Sequence, residues 1–448
     1  MIGQRPAFPG GIKLAMPPRV DADTVVRQMP FAPLLRLPLK QHAGAAPVAV
    51  VRAGDEVLRG QLLARAEADT AVPLHAPASG RVLGIGKQSD GAGGTVGVIE
   101  LAPLPGDTQE PTRGRAFDPD RDDADELLAA IRETGIVGLG GQGEPTHLRL
   151  ARARQRGTRF LVINGIEGEP GFARVPALLA RHGADVLIGA RCLGKVLGLR
   201  QPVLALEEPD AAAARAMLAE SSDRTLPILE VLPPRYPQGA AELLLRTLAG
   251  RGIEGCPAFS ADQAVVFSLA TVAEIGRLLR HGLTMTDQLI TLAGDGLREA
   301  GNYRVPLGTP VGFALAQAGA LAELDRVLVG GPMRGRALGS LDRPMVKGAT
   351  GFVALAGNQQ ARLPEAMACI RCGDCVAACP LQLHPAEMGL LARRGEVQAM
   401  VDHWHLERCF ECGCCAYVCP SHIPLVQMFA SAKGQWRRAQ ASAAEGAA

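Results

Sequence analysis

From about Pro38 to Leu101 apolar residues arrive in short bursts divided by glycine turns, as in Pro47-Val-Ala-Val-Val51, Gly60-Gln-Leu-Leu63 and Gly80-Arg-Val82. That rhythm predicts short strands in a β-barrel or sandwich spanning residues 1–112. Arg113 to Asp125 is polar and reads as a linker. Beyond it the pattern changes. Leu127 to Glu133 predicts a helix, Phe160-Leu-Val-Ile-Asn164 a buried strand, Val175 to Leu199 a helix and Pro202 to Leu206 another strand. Helices alternating with apolar strands give an α/β domain over 113–285. Residues 286–357 return to strand-and-turn text, with Leu289-Ile-Thr-Leu292, Val327-Leu-Val329 and a Gly330-Gly331-Pro332 turn, predicting a short β-grasp-like module. Pro385 to His405 is helical in pattern, and 433–448 is alanine-rich and expected to be a flexible tail.

Composition adds size and class. At 448 residues the chain has room for three or four domains at about 150 residues each. Hydrophobic residues make up 47% and aromatics only 4%, so the core is built of Ala, Val and Leu. A formal charge of +2 gives no electrostatic case for nucleic acid. Met1 to Gly10 lacks the basic start and apolar stretch of a secretory signal, so the cysteines are expected in a reducing compartment. Val186 to Leu199 is broken by Arg191 and Lys195, so the chain is not expected to span a membrane, only to dock onto a partner that does.

The cysteines carry the strongest chemical signal. Cys369-x-x-Cys372-x-x-Cys375-x-x-x-Cys379-Pro380 is followed by Cys409-x-x-Cys412-x-x-Cys415-x-x-x-Cys419-Pro420. This is bacterial ferredoxin spacing, in which three thiolates grip one cluster and the fourth, before proline, reaches the other. Two [4Fe-4S] clusters are predicted: Cys369, Cys372, Cys375 and Cys419 for the first, Cys409, Cys412, Cys415 and Cys379 for the second. Structural zinc has no use for a third cysteine at the same step, though a zinc-stabilised interaction protein stays as a rival. Cys192, Cys256 and Cys414 read as spare thiols, and His384, His403, His405 and His422 as exposed residues without a ligand role.

A second candidate is the loop Gly138-Leu139-Gly140-Gly141-Gln142-Gly143. Glycines that dense let backbone N–H groups approach a phosphate, although a plain turn is the competing reading. After the strand ending at Asn164, Glu167 and Glu169 stand where α/β proteins place ligands and could accept from a flavin ring or ribose hydroxyls; a solvated turn is the alternative.

Taken together the chain resembles the RnfC family, a component of the Rnf electron-transport complex, called Rsx in some bacteria. The likeness runs through Gly10-Gly-Ile-Lys-Leu14, His75-Ala-Pro-Ala-Ser-Gly80, Gly135-Ile-Val-Gly-Leu-Gly-Gly141, Tyr236-Pro-Gln-Gly239, Gly330-Gly-Pro-Met333 and the C-terminal cysteine run. It implies a lipoyl-like β-barrel or sandwich, a complex I flavoprotein-like α/β domain, an SLBB β-grasp module and a helical ferredoxin-type domain over 358–432. The lipoyl/biotinyl carrier fold presents a modified lysine, but here Thr70 stands in its place, so the module is expected to be structural.

The resemblance also implies a peripheral subunit on the cytoplasmic side of the inner membrane, relaying electrons between NADH and ferredoxin-linked subunits and coupled to ion movement. Ferredoxin or flavodoxin would be reached indirectly, through partner subunits. Gly138, Gly140, Asn164, Glu167 and Glu169 would line FMN and NADH, with Gly141 and Gly143 completing the loop and Arg149 in the phosphate site. Departures gather here: Glu144 replaces an aromatic, Gly168 a small polar residue or cysteine, Glu242 a lysine and Ser268 an asparagine. Weakened FMN or NADH binding is the expectation, since a carboxylate beside phosphates repels them. A relay or scaffold with a degenerate nucleotide site, and a soluble reductase of the cobalamin-reductase type, are the alternatives. Arg371 is expected to make its cluster easier to reduce, with a surface arginine of no effect as the competing reading, and Ile423 to Phe429 is a candidate docking face for membrane subunits or ordinary packing beneath the clusters.

Overall fold

The computed structural model describes the chain except residues 1–7, 15–23, 90–93, 106–108, 222–224, 254, 255, 257, 259, 358–363, 447 and 448. The segment read for a leader, and the start of the expected iron–sulfur unit at 358, therefore lie partly outside the described residues.

The N-terminal strands are β1 (Val26–Gln28), β2 (Leu35–Pro38), β3 (Val48–Ala49), β4 (Glu56–Val57), β5 (Leu62–Arg65), β6 (Leu74–His75), β7 (Gly80–Ser89) and β8 (Thr95–Pro103). Strands β2 to β8 form two antiparallel sheets, β2-β8-β7-β4 and β3-β5-β6. Period-two alternation explains the packing: Leu35, Leu37, Ile99 and Leu101 point to one face and are fully buried. Each such side chain contributes about 1.5–3 kcal/mol on leaving water. Thr70 lies in the turn before β6, where its Oγ1 accepts from Ala45 N–H at 3.2 Å and its carbonyl meets the His42 ring at 3.1 Å. It is thus built into the barrel rather than displayed from it.

The α/β domain runs α1 (Ala124–Glu133), α2 (Thr146–Gln155), β9 (Phe160–Asn164), α3 (Arg174–Arg181), α4 (Gly183–Leu197), β10 (Val203–Glu207), α5 (Ala211–Ala219), β11 (Ile228–Leu232), α6 (Ala241–Arg251), β12 (Ala264–Ser268) and α7 (Leu269–His281). All four strands are parallel, in the order β11-β10-β9-β12. Parallel strands are covered on both faces, which is why β9 and β12 read as continuous apolar runs. Asp123 opens α1 through a capping box with Glu126. The single helix expected over 175–199 is two, broken at His182, whose ring pairs with Asp185 at 3.5 Å.

The next module contains β13 (Asp287–Ala293), β14 (Gly301–Pro306), α8 (Val311–Gln317), β15 (Leu324–Val329), β16 (Arg336–Ala337) and β17 (Gly351–Ala356). Its sheet, β1-β14-β13-β17-β15-β16, borrows β1 from the N-terminal segment. Buried charge welds three units together. Asp287 of β13 accepts from Arg304 at 2.7 Å, Arg277 of α7 at 3.3 Å and Arg59 of the barrel at 3.1 Å. These arginines hold its carboxyl below the usual range against a burial penalty acting the other way.

The C-terminal helices are α9 (Asp374–Ala377), α10 (Pro385–Arg394), α11 (Val397–Asp402), α12 (Cys414–Tyr417) and α13 (Leu425–Gly446). Two sequence expectations are corrected here. The tail from 433 continues the long α13, as its Ala, Gln, Arg and Lys residues favour, and Lys433 turns inward to the Cys409 carbonyl and, at 3.7 Å, to Glu411. The apolar residues of 423–429 are not a docking face: Ile423, Leu425 and Phe429 are buried in the core beneath the cysteine motifs.

Candidate functional site

A cavity of about 1080 Å³ opens where β9, β10 and β12 end, with Asn164, Glu207 and Ser268 in its wall. Open α/β sheets bind ligands at the carboxyl ends of their strands. The glycine loop forms one side through Gly138, Gly140 and Gly141 and leads into Thr146, the first residue of α2. No side chain caps α2, so its first N–H groups remain available to an anion. The loop is held from behind: Leu139 N–H donates to Thr271 Oγ1 at 2.9 Å, and Arg174 donates to the Leu139 carbonyl at 3.2 Å. Three buried polar atoms on residues of this wall have no partner: Thr146 Oγ1, Arg174 Nε and Arg235 Nε. Unanswered donors beside bare helix N–H groups suit a phosphorylated ligand such as FMN.

Most of the expected nucleotide residues meet here, but in different roles. Gly138, Gly140, Gly141, Arg149, Asn164, Glu167 and Glu169 line the cavity. Gly143 does not; it turns back toward the barrel, its carbonyl accepting from Ala43 N–H at 2.9 Å. Asn164 bridges Gly239 and Ile166 at 2.8 and 3.0 Å. Glu167 is committed to α3, accepting from the N–H groups of Arg174 and Val175 and pairing with the Arg174 guanidinium at 3.2 Å. Glu169 accepts from Met333 N–H and Arg334 Nε, both at 2.9 Å, tying its loop to the Gly330-Gly331 turn. Burial raises the Glu169 carboxyl above its ordinary value, opposed by Arg334. Both carboxylates therefore shape the pocket instead of standing free in it.

Gly331 makes that tie feasible. A Cβ at this position would lie 2.3 Å from the Glu169 Cβ. Gly331→Ala is expected to cost about 1–3 kcal/mol by overpacking and to lower flavin retention, read as flavin per chain after purification together with the Tm.

The departures also resolve into contacts. Glu144 is not a bare carboxylate: Arg149 and Arg152 stand 3.4 and 3.5 Å from it. Ser268 caps α7 and shares a hydrogen bond with Thr271 at 2.8 Å. Glu242 pairs with Arg246 at 2.7 Å.

The cysteines form two further cavities. Cys369, Cys372, Cys375 and Cys419 line one, with Arg371 and Arg393. Cys379, Cys409, Cys412 and Cys415 line the other, with Cys414 beside them. Each cavity thus takes its fourth cysteine from the opposite motif, as ferredoxin spacing requires. The two motifs share a backbone: Arg371 and Glu411 both adopt positive φ, as do Gly373 and Gly413, and Gln382 and His422. Burial pushes the thiols of Cys375, Cys379 and Cys415 up, and that of Cys409 up to about 11. Sharing thiolate charge with iron removes that penalty. None of the four histidines lines either cavity; His384 caps α10 and tilts against Trp404 at 5.2 Å.

The second thiol cavity abuts the large one. Phe410 and Glu411, between Cys409 and Cys412, line the flavin-sized cavity, and Tyr236 of the same wall donates its hydroxyl to the Cys412 carbonyl at 2.6 Å. From the other side, Gly11 N–H donates to the Ala378 carbonyl at 2.9 Å while Ile12 and Tyr236 exchange backbone hydrogen bonds. Gly10 must lack a side chain, because a Cβ would fall 2.5 Å from the Cys379 carbonyl oxygen. Arg174, Tyr236, Arg334 and Phe410 were not singled out as site residues from sequence. Only Tyr236, in its Tyr-Pro-Gln-Gly run, carried a signal.

Comparison with known proteins agrees unit by unit. Residues 6–102 match the RnfC barrel sandwich hybrid domain, 131–277 the Nuo51 FMN-binding domain, 289–337 the SLBB domain and 368–423 the 4Fe-4S dicluster domain. Over 434 residues, 95% of its length, the chain is 34% identical to the RnfC protein of the ion-translocating oxidoreductase complex of Rhodobacter capsulatus and spans 82% of that relative. The chain belongs to the RnfC family. A second RnfC-family relative of the same description, from Pseudomonas aeruginosa, is 37% identical over 454 residues, covering 96% of this chain and 56% of the relative. A crystal structure of an NAD+-reducing [NiFe]-hydrogenase in the H2-reduced state superposes with a TM-score of 0.50 at 19% identity, covering 73% of this chain and 68% of the other. That likeness is one of fold. The expected fold class, the FMN-binding domain and the paired 4Fe-4S sites of this RnfC-family chain are thereby borne out. Among the described residues no helix is long and apolar enough to cross a membrane.

Proposed function

We propose that the chain accepts electrons from NADH in the large cavity and relays them through two [4Fe-4S] clusters to the other subunits of an ion-translocating complex. It would sit peripherally on the cytoplasmic face of the inner membrane, with ferredoxin-linked subunits beyond it. The reading rests on the shared wall: Phe410 and Glu411 belong at once to the cavity and to the cysteine segment behind it, and Tyr236 of the cavity wall bonds that segment at the Cys412 carbonyl. When bound, FMN supplies the conversion of a hydride into single electrons for iron–sulfur clusters. The chain supplies position and charge. Thr146, Arg174 and the bare N–H groups of α2 would hold the FMN phosphate, while Asn164 and Glu169 fix the loops of the cavity wall.

Position also orders the relay. The inner quartet adjoins the large cavity through Glu411, whose charge is answered by Arg336 at 3.1 Å, whereas Cys372 of the outer quartet is exposed. Electrons would thus run from the inner to the outer cluster.

Iron, acid-labile sulfide and flavin per chain, followed by anaerobic titration with NADH, test this reading. It expects flavin bleaching followed by the electron paramagnetic resonance signals of reduced clusters. A chain that holds flavin and clusters yet is not reduced would leave the relay without its NADH entry.

A further inference from the structure

A buried cation faces the inner quartet of Cys379, Cys409, Cys412 and Cys415. Lys433 lies on α13, whose Val426 and Phe429 line that thiol cavity. Steps of three and four residues separate these positions, so all three share one helix face. Only 6% of Lys433 is exposed. Its Nζ donates to the Cys409 carbonyl, and the carboxylate it meets, that of Glu411, stands 3.7 Å away. Arg336 takes the other oxygen of that carboxylate at 3.1 Å. One acid thus answers two cations, and the more distant of them is the buried one.

The cysteine repeat offers an internal comparison. Lys433 follows Cys409 by 24 residues, and the same step from Cys369 arrives at Arg393 of α10, which lines the outer cavity. Arg393 is exposed. Equivalent positions therefore place a cation beside each quartet, one inside the protein and one in water. Solvent and salt screen the field of an exposed charge, whereas a buried charge keeps most of its own. An ammonium also gives up hydration to sit inside, a cost that negative surroundings must offset. Half a share in Glu411 offsets little of it. The thiolates of a bound cluster supply the rest.

We propose that the Lys433 ammonium stabilises the reduced state of the inner cluster and thereby raises its reduction potential. Reduction by one electron adds a negative charge to the cluster and its four thiolates, and a cation fixed in a wall of low dielectric lowers the energy of that state most. Lys433 keeps its protons throughout. The cluster gains the electron, and no bond to the lysine forms or breaks. The proposal rests on cluster occupancy of the cysteine sites and not on the identity of the electron donor.

The test is a redox titration of the full chain with both clusters in place, poised with dithionite and mediators and read by low-temperature electron paramagnetic resonance. The inner signal is the one that Cys409→Ser removes. Lys433→Met and Lys433→Gln are each expected to lower the reduction equilibrium constant of the inner cluster about tenfold, about 59 mV for one electron. The outer signal should stay in place. Glutamine keeps a donor for the Cys409 carbonyl without the charge, so it separates the field from the hydrogen bond. Glu411→Gln should shift the inner signal the other way. An inner potential unchanged in both lysine variants overturns the proposal, as does an equal shift of both clusters, which would report a general change of structure. A shift in Lys433→Met that is absent from Lys433→Gln assigns the effect to the hydrogen bond and overturns it too. Loss of the inner iron from both lysine variants makes Lys433 part of the scaffold and has the same consequence, as does a lowered inner potential in Glu411→Gln. Dithionite is the reductant, so a failure here leaves the NADH reading standing.

Discussion

Replacing Cys379 by serine is expected to empty the cavity formed by the other motif. Although Cys379 closes the first run of cysteines, its side chain lies with Cys409, Cys412 and Cys415, and its sulfur accepts from Leu383 N–H at 3.3 Å. Serine is a poor ligand for iron, and three thiolates hold a cluster weakly. The variant should keep about half the iron and sulfide, and the surviving signal should be that of the outer cluster. Cys419→Ser should give the complementary half. Cys414→Ala, in contact with the inner quartet but outside the ligand step, should lose neither. Loss from Cys379→Ser of the signal removed by Cys372→Ser, with the inner one intact, would show that each motif binds its own cluster. Metal counting and low-temperature resonance of dithionite-reduced protein decide.

A comparably large effect is expected from Lys347, which sits at the junction of three units and has no carboxylate partner among the described residues. Its Nζ donates to the carbonyls of Pro73 in the barrel and Gly135 in the α/β domain, both at 2.7 Å, and it is 2% exposed. Two acceptors suit the two N–H bonds of a neutral amine. Burial lowers its pKa from 10.5 to about 7. The neighbouring rings are low as well, His75 at about 3 and His42 at about 4, each through burial and then the charge of Lys347.

The sign of the linkage follows. Between pH 7 and 10.5 the unfolded chain binds a proton at this lysine that the folded chain does not, so folding gains stability as pH rises through that window. Below pH 7 both states are protonated and the full cost of the buried charge is present. Wild-type stability relative to Lys347→Met should therefore climb with pH, by at most about 1.4 kcal/mol per unit, and level off near 10.5. Denaturant melts of both proteins from pH 6 to 10 provide the measurement. A difference that stays flat across this range would mean the amine remains charged in the folded chain.

How much of this was readable in the sequence depends on how local each feature is. The cysteine steps fix ligand chemistry within eleven residues, so the quartets and their exchange of fourth members followed directly. Strands β9 and β10 announced themselves as apolar runs. Strand β12 was missed: Ala264–Ser268 is equally apolar, but nothing local says that it returns to pair with β9. The acidic pair was located correctly and its task was not. Glu167 receives the first N–H groups of a helix that starts seven residues on, beyond the two or three residues that capping spacing spans. Glu169 serves a turn beyond residue 330, and no local rule links them. Glu144 looked repulsive until Arg149 and Arg152, on the first two turns of α2, closed on it.

The glycines near the amino end have a consequence for how the chain is made. Gly10 and Gly11 rest on the backbone of Ala378 and Cys379, so this segment finds its seat only after the distant cysteine motif has been made. Contacts of such wide separation form late. The backbone beside the inner quartet thus gains this cover at a late stage of folding.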